Sequence, residues 1–217
     1  MALNTYAALK SAILLWLARP GDALLEPSLP DMIRLFEAEA QRRLRVIGAE
    51  RTEYLYASGP LLELPPDFQE LRHANLDDGT PLEFVPPGNI GRDAVPGGRP
   101  LRFTILGDTE GGCSASGGGA VMQLVPPASG TIAVIITYQR GLPGLSDTNT
   151  SNWLLREHPD CYLFGSLVEA EAFIGADERA LGWFQRREAT FNGIEQADRK
   201  KRWPGASLQI RPNMAIP

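Results

Sequence analysis

The sequence predicts an α+β protein, with N- and C-terminal helices forming a helical body around a β-rich, Gly/Pro-rich middle segment. Three observations predict it. Of the 22 glycines and 18 prolines, 26 fall in residues 58–150, and such residues punctuate strands and turns rather than helices. Apolar residues recur at helical spacing before that stretch and again after it. Within it the period shortens towards two. With 43% hydrophobic and 22% charged residues over 217 positions, the chain has the material for a core, which excludes wholesale disorder.

Residues 1–50 read as a helical hairpin. Thr5 caps a helix from Tyr6 to about Ala18, with Tyr6, Leu9, Ile13 and Leu17 on one face, and Pro20-Gly21 stops it. Ser28 and Asp31 form a short-acid capping box for a second helix whose face carries Ile33, Phe36, Ala40, Leu44 and Ile47 and which Gly48 ends. Glu39 and Arg43 are spaced for an i,i+4 ion pair.

Residues 51–150 read as the β-rich middle. Glu53–Ala57 and Leu61–Leu64 are short strands about a Ser58-Gly59-Pro60 turn, and Phe68–Leu76 fits strand or short helix. Leu82–Val85 and Leu101–Leu106 follow, the latter alternating in polarity. Thr131–Arg140 is the clearest strand, with apolar residues on both faces, as expected of a central position. Pro86-Pro87 and Pro126-Pro127 close strands because proline cannot donate to a ladder. Residues 107–120 form a Gly/Ser-rich loop with little to pack.

Residues 151–203 return to helical period and are expected to pack on the N-terminal helices. Leu163, Leu167, Ala170 and Ile174 make a stripe beside the small Gly165 and Ser166. Asp177 caps a last helix to about Arg202, with Leu181, Phe184, Phe191 and Ile194 as its apolar face. It ends in Arg199-Lys200-Lys201-Arg202, where cations complement the helix dipole. Trp203-Pro204-Gly205 breaks it, and 204–217 is an extended tail carrying Leu208 and Ile210.

Several function classes are excluded or unsupported. A net charge of −5 argues against a protein that grips nucleic acid over its whole surface. Cys113 and Cys161 match neither a disulfide framework nor a zinc array, and read as free thiols of a reducing compartment. No apolar run approaches the roughly 18 residues of a membrane span, and Ser11–Ala18 continues as an amphipathic pattern rather than a signal peptide. Gly112-Cys113-Ser114-Ala115-Ser116 begins like a nucleophile elbow but lacks the last glycine and the following helix. Gly117-Gly118-Gly119 lacks the Lys-Ser/Thr of a phosphate loop. His158 starts a helix at the surface, Asp77-Asp78 is turn chemistry, and Trp183 and Arg187 are spaced to stack. No catalytic, metal or cofactor site is assigned. A small hydrolase using the Ser114 region and a non-ring binding module for acidic partners centred on Arg199–Arg202 are the alternatives.

The stretch Tyr138–Ala170 carries most of the remaining information: Tyr138, Pro143, Leu145, Ser146, Asp147, Asn152, Trp153, Leu154, Leu155, Pro159, Asp160, Tyr162 and Leu163. Upstream stand Thr5-Tyr6-Ala7, Leu9-Lys10, Trp16-Leu17, Phe36, Ala38-Glu39 and Arg42-Arg43-Leu44-Arg45. Leu64-Pro65, Asp67-Phe68, Gly98-Arg99-Pro100 and Phe103-Thr104-Ile105 complete the set. In order and spacing these resemble the head–tail adaptor proteins of short-tailed and related phages, of the tail-tubular-A-like kind.

The resemblance implies a non-enzymatic virion protein made in the host cytoplasm. It implies a ring, commonly of twelve copies, between portal and tail. Its partners would be further copies of itself, the portal, and tail or nozzle proteins, with DNA passing through the lumen without sequence-specific binding. A net acidic chain suits such a conduit because like charge keeps phosphate off the wall. Trp203, Pro204, Leu208, Ile210 and Arg211 are the candidate portal or neighbour contact, and Arg199, Lys200, Lys201 and Arg202 a candidate basic contact. Ser146, Asp147, Asn152 and Trp153 are the candidate structural motif, with turn and cap chemistry placing Trp153 as a core plug. The family joins the strands near Ile105 and Leu124 by a short turn, so the 107–120 insertion departs from its pattern.

Overall fold

The computed structural model describes residues 3–90, 98–107 and 119–203. Two compact units divide the chain. One is built from the flanks, up to Ile47 and from Gly144 onwards, and the other from Gly48–Pro143. The architecture is α+β, with helices at both ends and strands between them.

In the helical unit, α1 spans Tyr6–Trp16, and the Thr5 hydroxyl accepts from the Ala8 amide as expected of its cap. The second helix departs from expectation. Helix α2 spans Leu25–Arg43, so Ser28 and Asp31 lie inside it and cap nothing. Its entry is organised instead by Asp22, whose Oδ1 accepts from the Leu24 and Leu25 amides at 3.0 and 3.1 Å. Those bonds, with help from Arg19, hold the Asp22 carboxyl below its ordinary value. Pro30 sits within the helix and removes one backbone bond. Burial of Leu25, Leu29, Met32 and Ile33 outweighs that loss. The helix stops at Arg43 with Leu44 extended, and Gly48 belongs to a short 3₁₀ turn over Ile47–Ala49.

After residue 152 the helical period resolves into α3 over Trp153–Glu157 and α4 over Pro159–Ile174, with His158 at the junction where a helix start is expected. Pro159 lacks the N–H that would continue the first, yet suits the first turn of the second. Gly165 lets α4 press against α2, since a Cβ there would collide with the Phe36 ring. Gly175 ends α4 in the left-handed region at φ 78°. Helix α5 spans Asp177–Arg202, and its N-cap is Ala176, without a side-chain cap bond. Its expected apolar face is half right. Phe191 and Ile194 are buried, whereas Leu181 and Phe184 are exposed. Two ions, Arg187 and Asp198, extend the buried stripe in their place.

Among the described residues the β unit holds seven strands in two sheets. Strands β1 (Glu50–Ala57), β7 (Ile132–Arg140) and β3 (Phe68–Leu76) form an antiparallel sheet with β7 central, as its two-faced pattern predicts. Phe68–Leu76 is therefore strand, and its register slips twice, between Phe68 and Glu70 and between Leu71 and His73. The second sheet runs β2 (Leu61–Glu63), β6 (Val121–Val125), β5 (Arg102–Leu106), β4 (Glu83–Phe84). Leu62, Leu76, Phe103, Met122, Leu124, Val134, Ile136 and Tyr138 from both sheets form one core.

The Gly/Ser loop lies outside the described residues from 108 to 118, with Cys113, Ser114 and Ser116 in it. The tail residues Pro204, Leu208, Ile210 and Arg211 also lie outside them.

Candidate functional site

The motif around Asn152 is built on a buried carboxylate. Asn152 is the N-cap of α3, its Oδ1 accepting from the Leu155 amide at 2.9 Å. Its Nδ2 donates to the Tyr162 hydroxyl, which in turn donates to Glu37 Oε1 at 3.0 Å. The same oxygen accepts from the Leu145 amide at 2.8 Å. Burial raises the Glu37 carboxyl above its ordinary value, and the two hydrogen bonds only partly offset this. Burial, then the Glu37 charge, pushes the Tyr162 phenol well up, so it remains a donor.

Outside that chain, Ser146 shapes a turn by accepting from the Asn149 amide at 3.0 Å, and Asn149 Nδ2 donates to the Gly144 carbonyl at 2.6 Å. Asp147 is exposed and meets Lys10 at 3.4 Å, a contact of small energetic weight. Trp153 is 6% exposed, next to fully buried Leu154 and Leu155. Ser146, Asn152 and Trp153 thus share one segment whose work is packing, and Glu37 anchors it. The signal for Glu37 was present, because a glutamate stands between Phe36 and Ala40 on an apolar face.

A second ionic set joins α2 to α5. Glu39 and Arg43 do not pair with each other as their spacing suggests. Arg43 Nη1 donates to Glu188 at 2.7 Å and its Nε to Glu195 at 3.1 Å, with the guanidinium 4.5 Å from the Phe191 ring centre. Glu39 instead accepts from Arg187 at 2.6 Å. Short charge-assisted bonds to the facing helix thus take the place of the i,i+4 pair. Arg187 stacks on Phe184, and Arg186 is the residue over Trp183, so the expected Trp183–Arg187 pair is not formed. Trp183 lies parallel to Phe164 at 6.0 Å and near Trp16, and its Nε1 donates to the buried Glu171. Cys161 is fully buried on α4, where burial pushes its thiol up to about 12 against a weaker bond to Thr190.

The basic end of α5 divides. Arg202 Nε donates to Asp198 at 2.6 Å, and Asp198 accepts from the Ile47 amide at 2.7 Å. Arg199, Lys200 and Lys201 are exposed, and Trp203 beyond them is 65% exposed. Between α2 and α4 a groove of about 350 Å³ is lined by Asp31, Met32, Leu35, Glu169 and Phe173 among others.

In the β unit the motif residues meet in pairs. Tyr138 donates to Asp67 at 2.8 Å with its ring 5.6 Å from Phe68, and the Asp67 carbonyl accepts from the Gly141 amide. Burial and the Asp67 carboxylate push the Tyr138 phenol well up. Arg99 donates to Asp78 and to Thr80, fastening Gly98-Arg99-Pro100 to the Asp77–Thr80 turn. Among the described residues no cluster of three His, Cys, Asp or Glu is arranged to hold a metal, and no helix is long and apolar enough to cross a membrane.

No curated protein matches the chain. The family model described as SU10 adaptor protein matches residues 4–211. That match takes in both units, the Asn152 segment with its Glu37 anchor, and the basic end of α5, so the chain belongs to the SU10 adaptor protein family and is a phage structural adaptor.

Proposed function

We propose that this adaptor is a head–tail connector of the tail-tubular-A-like kind. Copies of it form a ring between portal and tail, twelve being the number its sequence resemblance implies. The ring is a conduit for DNA during ejection, without sequence-specific binding, and a platform on which tail or nozzle proteins attach. It performs assembly and passage, with no chemical turnover. The observation that carries this reading is the family match over residues 4–211, which leaves neither unit outside the adaptor pattern.

The placement of the motif residues supports it. Asn152, Trp153, Tyr138 and Asp67 are committed to internal packing and hydrogen bonds, so the resemblance lies in a shared scaffold rather than in a reactive site. Residues 204–217 are proposed to dock on the portal or on a neighbouring copy, through Pro204, Leu208, Ile210 and Arg211 together with Trp203.

The test is negative-stain imaging of the full chain mixed with the portal protein of the same phage. An annulus on the portal is expected. Portal particles without one, at saturating chain, would overturn the reading. Deleting 204–217 is expected to abolish docking while leaving the circular dichroism of the chain unchanged.

A further inference from the structure

The helical unit carries two surfaces of complementary character at separate places. The first is the α2/α4 groove. Leu35 and Phe173 stand 59% and 57% exposed along it, Asp31 and Glu169 edge it, and no cation is among its lining residues. Burial, then the nearby Glu39 charge, raises the Glu169 carboxyl, with Arg187 only partly offsetting them. An arriving cation would relieve that cost.

The second surface is the end of α5. The Arg202 bonds to Asp198 and to the Arg45 carbonyl, and the Asp198 bond to the Ile47 amide, fix this end to the chain after α2. What it presents outward is Arg199, Lys200, Lys201 and the indole of Trp203. A held backbone has no segment left to order on docking, and an indole with two side-chain torsions loses little entropy there.

These surfaces cannot meet within one copy. Arg187 meets Glu39, Arg43 meets Glu195, and Arg202 meets Arg45, so α5 runs alongside α2 in the same direction. The basic end therefore lies at the C-terminal end of α2, whereas the groove uses Ser28 to Leu35, from its first turn to its middle. From Asp31 to the last helical residue, Arg43, the helical rise amounts to roughly 18 Å.

We infer that the Arg199–Trp203 end of one copy docks in the α2/α4 groove of the next, with Trp203 against Leu35 and Phe173 and the cations against Asp31 and Glu169. Such a contact is heterologous, one surface meeting a different one, and it generates a ring when its rotation closes. Its place in the virion rests on the connector reading above; the contact itself does not.

The experiment is a charge swap in the full chain. One variant carries Arg199→Glu, Lys200→Glu and Lys201→Glu, all at exposed positions. The other carries Asp31→Lys and Glu169→Lys, with Asp31→Lys alone as the form least able to disturb folding. Self-association is read by sedimentation of the chain alone, and annulus formation by negative stain on portal. Each variant alone is expected to weaken self-association by about tenfold or more, and an equimolar mixture to restore most of it, because every contact in an alternating array again joins opposite charges. Single variants that associate like the unaltered chain, or a mixture that stays as weak as its parts, would overturn the contact. Restoration by the swap without any annulus keeps the contact and removes the connector reading. An annulus that survives both reversals does the opposite. An unaltered chain that associates neither alone nor on portal removes both.

Discussion

In the helical unit Glu37, Glu171, Arg187 and Asp198 are buried and each meets a partner from another segment. In the β unit the buried polar residues among those described are Thr104 and Gln139, and the ions sit towards the surface. The difference follows from how each architecture fixes its own geometry. A strand paired through its backbone is held in register by the ladder, since a slip by one residue turns every apolar side chain outward. Two helices meeting along apolar stripes have no such ladder, and their register rests on side-chain contacts alone. A buried ion that finds its partner in only one arrangement fixes that register, the role best attested for buried polar groups.

The largest effect should come from the closest helix contact. Gly165→Ala places a methyl group where the Phe36 ring lies, and we expect about 3 kcal/mol of destabilisation by urea unfolding. Protection of β7 amides from hydrogen exchange should survive better than that of α2 and α4. Equal loss in both units would show that they are not energetically distinct.

Next comes the ionic register. Arg187→Leu leaves Glu39 without its partner, at a cost of about 2 kcal/mol because Glu39 keeps some access to water. The pair Glu39→Leu with Arg187→Leu should recover most of that loss in the same denaturation assay. If the recovered protein assembles as well as the original, the ions are dispensable for register and the contrast between units fails.

In the β unit the corresponding probe is milder. Tyr138→Phe removes the bond to Asp67, which water can then solvate, so the expected loss is about 1 kcal/mol. The smallest effect is one of slope. The Glu37 carboxyl is raised by burial, so the folded state prefers it protonated. Its contribution to stability is therefore full below the ordinary glutamate value of 4.5 and is lost as pH rises through the higher folded value. Glu37→Gln should flatten that part of the pH–stability curve relative to the unaltered chain. An unchanged slope would mean the carboxylate is solvated after all.

Much of the fold was legible because its elements announce themselves locally. The Thr5 cap, the two-faced β7 and the small residues of α4 are each decided within a few positions. The start of α2 was not, because Ser28 and Asp31 offer a plausible cap and Pro30 argues against helix, while the contest is settled by burial of Leu25 and Leu29. The face of α5 was misread for a related reason. Arg187 and Asp198 read as surface residues until Glu39 and the Ile47 amide, some 150 positions away, are seen to meet them. Asn152 was legible as a cap from its neighbours, but its second bond to Tyr162, and the reach of Tyr162 to Glu37, depend on packing between helices.

The Cys161 thiol has a use that its burial creates. Alkylating reagents attack the thiolate, and a thiol held up to about 12 and closed to solvent offers almost none of it. Modification of Cys161 must wait for α4 to part from its neighbours, so its rate counts openings of the helical unit. With Cys113→Ser the chain carries its own clock, and the slowing of that clock when portal is added would time the moment at which assembly locks the fold.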